Sequence, residues 1–375
     1  MISRPDVDKL LSVRAESRSV LSMYVWVPRD KTQLRELPAR ADDLLAVAAR
    51  SGEDTDQQAR PSARDRTVAR DFLQEGDRDW LGHTVGIFAC SELGLAEAIP
   101  LPVELPERAV LAARPHVRPL LQAIQRLPAH RVMVADRRHA WLFSIADGKI
   151  RSADLQDGET ERSRGFGGWY GLDSYNVNSR ITDLARQHYQ AAADLLARAS
   201  RVGGPEPLVI GGHQDTIPRV LAALPEDLRG SFAGSFLIDP DTLTPAKVRD
   251  LAAGVVGKWA EAGEDHLADE IRSQPPGGLA AVGLDACVAA AGQHAIRQLA
   301  VPADGLTPGF ACQRCAALST SPGGRCLDGP GAAVFVPDLL EELAVGTLTD
   351  SGQVRTLREP PGGVAALLRF EVTAP

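Results

Sequence analysis

Several things are scarce in this 375-residue chain, and each scarcity excludes something. No apolar run approaches the roughly 20 residues of a membrane-spanning helix, so no helical membrane anchor is expected. An excess of basic side chains is missing too. Lys and Arg number 41 against 49 Asp and Glu, a formal charge of −8, and the acid excess is spread along the chain. Non-specific affinity for nucleic acid comes mainly from neutralising phosphates. A broadly electrostatic nucleic-acid binder is therefore excluded, and any RNA contact must be local, shape-driven or assisted by protein partners. The start, "MISRPDVDKLLSVRAESRSV", lacks the apolar centre of a secretory signal, so a cytoplasmic protein is expected. Cysteine is rare and odd in number at five, and three of them (Cys312, Cys315, Cys326) cluster. That pattern fits a reduced compartment better than a disulfide framework.

Aromatic residues are also rare, at 5% of the chain, which makes one concentration of them conspicuous. The stretch Arg164–Tyr175, "RGFGGWYGLDSY", holds four glycines and four aromatic rings in twelve residues. Rigid rings on a loose backbone are an expensive choice for packing alone.

The rest of the chain divides into three α/β segments, a multidomain α/β class. In 1–126, Ser19–Pro28 and His83–Cys90 read as strands. Asp56–Gln74 reads as a solvated helix, and Ala98–Glu107 is proline-punctuated and extended. In 127–272, Val132–Ala135 and Trp141–Ala146 are expected to form a hairpin turning at Asp136–His139. The glycine loop follows, then a long helix with Ile181, Leu184, His188, Ala192 and Leu195 at helical spacing and Asn178 or Ser179 as its cap. "PLVIGGH" and "GSFLID" are strands, "TIPRVLAAL" a helix, and "TPAKVRDLAAGVVGKWAEAGEDHLADEIRS" a long helix. "QPPGG" (Gln274–Gly278) reads as a linker. In 275–375, "CVAAAGQHAIRQLAV" reads as helix then strand, "AAVFVPDLLEELAVGTLTD" as a repeat of that order, and "GGVAALLRFEV" as a closing strand.

Three features carry a resemblance: a Gly-Gly loop between a hairpin and a long helix, a Cys-x-x-Cys insert in the last segment, and the ending "PPGGVAALLRF" (Pro360–Phe370). Together they resemble the archaeal and eukaryotic class-1 peptide release factor family. "HVRPLLQAI" (His116–Ile124) is similar to the bacterial, Pelota/Balon-like branch. The resemblance implies an RNase-H-like middle domain and a C-terminal domain like kink-turn-binding ribosomal proteins. It implies ribosome, rRNA or tRNA as partners, alongside a translation elongation factor. In hydrolytic members the loop ends Gly-Gly-Gln and assists attack of water on the peptidyl-tRNA ester. Here Gly167 and Gly168 match the glycines, and Trp169 stands in the glutamine's place.

An indole has one donor and no acceptor, so it cannot position water as a carboxamide can. A main-chain role at Gly167, Gly168 and Trp169 would survive. The alternative use of the loop is stacking of Phe166, Trp169 and Tyr170 on unpaired bases. Arg162, Arg164, Arg180 and Arg186 would then meet phosphates. The plain reading also stands open: Trp169 and Tyr170 pack back onto the domain, and the glycines only turn the chain. These readings lead to a non-catalytic A-site binder of hibernation, protection or rescue, with a peptidyl-tRNA hydrolase and a stress-related protein scaffold as alternatives.

Other motifs are weaker. Cys312, Cys315 and Cys326 would be ligands if the insert held zinc. Tetrahedral Zn²⁺ wants four ligands, and the family pattern's fourth cysteine falls at Gly329. Asp328 and His294 lie off that spacing, so no cofactor is expected. Cys90 and Cys287 sit in apolar runs and read as core. "VIGGHQD" lacks the remainder of a phosphate loop and reads as a strand-to-helix turn. His213 with Asp215, and Asp136 with Asp239, are too sparse for acid–base or two-metal chemistry.

Overall fold

The computed structural model describes residues 4–372 apart from 17–18, 51–61, 76–79, 102, 147, 158–172, 204–205, 276, 313 and 323–332. The chain divides into two compact units, Met1–Arg126 with Ala262–Pro375, and Leu127–Glu261. Among the described residues no helix is long and apolar enough to cross a membrane.

The first stretch runs α1 (Arg4–Leu11), β1 (Val20–Val27), α2 (Lys31–Arg50), α3 (Ala63–Glu75), β2 (His83–Cys90), β3 (Leu95–Leu101), β4 (Arg108–Ala112) and α4 (Arg118–Arg126). Its strands form one antiparallel sheet in the order β3-β2-β1-β4. "VLSMYVWV" shows no polar face because both faces of β1 are covered. Leu21, Met23 and Val25 pack with Leu37, Ala41 and Leu45 of α2. Tyr24 and Phe88 face the other way, onto Val7 and Leu10 of α1 and Leu120 of α4. Alternation decides which side chain joins which core.

The second unit contains β5 (His130–Ala135), β6 (His139–Ala146), β7 (Lys149–Asp157), α5 (Asp173–Gly203), β8 (Leu208–Gly212), α6 (Ile217–Ala223), α7 (Glu226–Arg229), β9 (Phe232–Leu237) and the start of α8 (Pro245–Ser273). Its sheet runs β7-β6-β5-β8-β9, with β5, β8 and β9 parallel. One face packs on α5 and α6 through Met133, Leu142, Tyr189 and Val220. The other packs on α8 through Val134, Phe143, Val248 and Val256. Parallel strands covered on both faces read as continuous apolar runs, as "LVIGG" does.

Two expectations are corrected here. Helix α5 begins at Asp173, so Asn178 and Ser179 lie inside it and do not cap it. Among the described side chains its buried stripe is Ala185, His188, Tyr189, Ala192, Ala193 and Leu196, while Leu184 and Leu195 are partly buried and the Ile181 side chain lies outside those described. Strand β7 was not foreseen, since "KIRSADLQD" is too polar to stand out at a sheet edge.

The last stretch holds β10 (Ala280–Val282), α9 (Leu284–Gly292), β11 (Ile296–Pro302), β12 (Gly309–Cys312), β13 (Leu318–Ser319), β14 (Ala333–Val336), α10 (Leu339–Thr349), β15 (Gln353–Leu357) and β16 (Ala365–Leu368). A mixed sheet orders β10-β16-β11-β15, and a small one β13-β12-β14. "AAVFVPDLLEELAVGTLTD" is strand then helix, the reverse of the expected order. Asp338 caps α10 and fixes the point at which the strand ends and the helix starts.

Candidate functional site

Most of the loop singled out in the sequence, with Arg162, Arg164, Phe166, Gly167, Gly168, Trp169 and Tyr170, lies outside the described residues, as do Cys326 and Asp328. The fold does fix the loop's two ends, at Asp157 of β7 and Asp173 of α5. Arg180 belongs to the early turns of α5, and Arg186 is exposed on the same helix.

The motif "HVRPLLQAI" turns out to hold charge chemistry that its resemblance alone did not disclose. His116 and Arg118 lie at the start of α4 and meet Asp338 and Glu341 at the start of α10. All four side chains are buried, none more than 4% exposed as a residue. Two helix N-termini are thereby brought together, each with unpaired N–H groups and a partial positive charge. Each receives a carboxylate. Asp338 Oδ1 accepts from Leu340 N at 3.3 Å and from Thr307 N at 3.1 Å. Glu341 reaches across to the other helix, where Oε1 accepts from Val117 N at 2.8 Å and Oε2 from Arg118 N at 3.1 Å.

Two buried carboxylates need a counter-charge. The Arg118 guanidinium supplies it, donating from Nη2 to Asp338 Oδ2 at 2.6 Å and lying 3.8 Å from Glu341 through Nε. Nη1 also donates to the Pro302 carbonyl at 3.2 Å and Nη2 to the Gly305 carbonyl at 2.6 Å, while Nε has no hydrogen-bond partner among the described residues. His116 Nε2 sits 3.1 Å from Asp338 Oδ2 and 3.5 Å from Glu341 Oε2. Strand β1 holds the His116 backbone: Ser22 Oγ accepts from its N–H at 2.9 Å, and Tyr24 Oη donates to its carbonyl at 2.5 Å. Burial, and next the Glu341 charge, push the Tyr24 phenol well above its usual range, so it remains a donor.

The two acids titrate in opposite directions. Burial alone would raise Asp338, but the His116 hydrogen bond and the Arg118 charge outweigh it and hold the carboxyl below its ordinary value. For Glu341 burial prevails over the opposing charges of His116 and Arg118, and its pKa is raised. Glu342 is raised as well, by burial against the pull of Arg114.

His116, Asp338 and Glu341 bring ligand atoms within 4.8 Å of one another, the grouping a metal would require. The carboxylate oxygens already have partners, however. Both Glu341 oxygens face main-chain N–H groups, and Asp338 faces a guanidinium. A divalent ion there would sit against Arg118, and like charges at such distances repel strongly in a buried site. The arrangement is a salt-bridged staple between two helices. Its sequence signals were a His and an Arg in an apolar run, and acids at the cap and third positions of "PDLLEEL".

The smaller candidates resolve into local structure. Asp136 Oδ1 accepts from Arg138 N and His139 N, both at 2.6 Å, and so shapes the β5–β6 turn. Those bonds outweigh the effect of partial burial and hold its pKa below the ordinary value. Asp215 pairs with Arg137 at 3.3 Å, His213 is exposed, and Asp239 accepts from Asp241 N. The glycines of "VIGGH" are packing requirements. A Cβ on Gly211 would lie 2.6 Å from the Phe236 ring, and one on Gly212 would lie 2.7 Å from the Ala135 carbonyl. Cys90 and Cys287 are buried, and burial pushes the Cys287 thiol up to about 12. Cys312 is buried and Cys315 half-buried on the β12–β13 turn, which is closed by Ala316 N donating to Cys312 O at 2.9 Å. His294 Nδ1 lies 2.8 Å from Asp350, an acid of its own neighbourhood.

Residues 115–264 match the model for bacterial archaeo-eukaryotic release factor family 10. The matched segment, less than half of the chain, is release-factor-like and of the bacterial branch, and it opens one residue before His116. No curated protein matches the chain. Among solved structures, an archaeal translation termination factor aRF1 is 13% identical, with 98% of this chain and 99% of that one covered and a TM-score of 0.26. Archaeoglobus fulgidus Pelota is 14% identical over 79% and 81%, with a TM-score of 0.34. Saccharomyces cerevisiae Dom34, a termination-like factor that interacts with Hbs1, is 10% identical over 80% and 82%, with a TM-score of 0.42. Superpositions this poor decide neither fold nor function.

Proposed function

We propose that this is a ribosome-associated, release-factor-like protein of the cytoplasm. It occupies the A site of idle or stalled ribosomes without catalysis, in hibernation, protection or rescue. The observation that supports it is the family match across 115–264, which spans the loop between β7 and α5. On this reading the middle unit is RNase-H-like, and the last segment is related to kink-turn-binding ribosomal proteins. The partners are ribosomal or transfer RNA, with an elongation factor as escort.

The loop supplies stacking surface where hydrolytic relatives supply a carboxamide. Phe166, Trp169 and Tyr170 stack on unpaired bases, at about 1–3 kcal/mol per base. Arg162, Arg164, Arg180 and Arg186 steady the contact at phosphates. The net charge of −8 gives no general attraction to RNA, so the loop and any protein escort must supply the affinity.

Co-sedimentation with 70S particles at physiological salt tests the proposal. The wild-type protein is expected in the pellet. A Trp169→Ala, Tyr170→Ala double variant is expected mostly in the supernatant, with affinity lower by at least about tenfold. Wild-type protein left in the supernatant would overturn ribosome binding. Equal pelleting of both proteins would remove the stacking role and leave the binding.

A further inference from the structure

Helix α4 is buried from Arg118 to Ala123 and makes unlike contacts at its two ends. Its N-terminal end gives N–H groups to Glu341 and a guanidinium to Asp338. At its other end stands Gln125, opposite β15, the last strand in the order β10-β16-β11-β15. Gln125 Oε1 accepts from Thr356 N at 2.9 Å, and Nε2 donates to Thr356 O at 2.7 Å. One side-chain amide thus meets the N–H and the C=O of a single edge residue, as a neighbouring strand would. Nε2 also lies 3.3 Å from Glu264 Oε1. Between these ends, Leu120 and Leu121 belong to the core beneath Tyr24 and Phe88, against which Leu348 of α10 and Val354 of β15 also pack.

The helix therefore closes the core of the first sheet and the edge of the last one with the same turns. We infer that α4 makes residues 1–126 and 262–375 one cooperative unit, in which the sheet β10-β16-β11-β15 opens only together with the sheet β3-β2-β1-β4. Binding or chemical change at either sheet is then felt by both. This rests on the contacts of α4 and not on the release-factor reading.

Hydrogen exchange of the full chain, followed by mass spectrometry, tests it with two variants. Arg118→Met strips the buried acids of their counter-charge, and Gln125→Ala removes the edge contact. In Arg118→Met, exchange in 20–27 and 83–90 is expected to accelerate by the same factor as in 296–302 and 353–357, about a hundredfold or more. Exchange in 208–212 should not change. Gln125→Ala should accelerate both sheets together by a smaller factor, and it carries the test should Arg118→Met fail to fold. Acceleration confined to one sheet, or to 116–126 and 338–343, would overturn the inference.

Discussion

Two places in this molecule are built from the same three residue types, and they behave differently. In the staple between α4 and α10, His116, Arg118 and Asp338 are joined by Glu341 in the interior. At the turn after β5, Asp136, Arg137 and His139 are joined by Asp215 near solvent, where the Arg137 and Asp215 side chains are 64% and 54% exposed. Water decides the difference. In the interior each charge must find its counter-charge and donors within the protein, and removing one strands the others. At the surface, solvent replaces whatever partner is lost. Residue identity alone therefore tells little about what a His-Asp-Arg group does.

The contrast can be broken most severely at Arg118. Arg118→Met is expected to cost about 3–5 kcal/mol in denaturant unfolding, because Asp338 and Glu341 remain buried without the guanidinium that lies against both. A loss below about 1 kcal/mol would erase the distinction between the two places. The next effect falls on the pH profile. The folded pKa of Asp338 is depressed, so its contribution is complete above the unfolded value of about 3.9 and is lost as pH falls through the folded value. The folded pKa of Glu341 is raised, so ionising it costs stability as pH climbs from about 4.3 towards the folded value. Asp338→Asn should flatten the acid limb below about pH 4, and Glu341→Gln the slope just above it. Stability measured from pH 2 to 7 checks both, and unchanged profiles would contradict the charge assignment.

At the surface turn the expected effects shrink. Asp136→Ala should cost about 1 kcal/mol, the scale for a carboxylate that accepts two local N–H groups, and should leave the α4–α10 staple intact. Arg137→Ala should change stability by no more than about 0.5 kcal/mol, since its partner is as solvated as it is. A larger loss by thermal unfolding would mean that this exposed pair is held more tightly than solvent allows.

Much of the framework was legible before any coordinates. His83–Cys90 could be read as a strand because apolar residues gather there between clear breakers, and β2 has those bounds. Strands β7, β10 and β15 are among those missed. They are short or polar, and the neighbours that make them strands lie far away in sequence, as Gln298 does for Gln353. The staple was half legible. "HVRPLLQAI" was marked by its resemblance, but its chemistry depends on Asp338 and Glu341, more than two hundred residues downstream. No local pattern encodes such a pairing. The loop with Trp169 stands the other way round, since its aromatic and glycine content is plain in the sequence while residues 158–172 lie outside the described ones.

The most direct test of the account is RNA crosslinking with purified 70S ribosomes, mapped by mass spectrometry. The account predicts crosslinks within residues 162–186 and none at His116, Arg118, Asp338 or Glu341. Ribosomes that crosslink elsewhere on the chain, leaving 162–186 untouched, would contradict it.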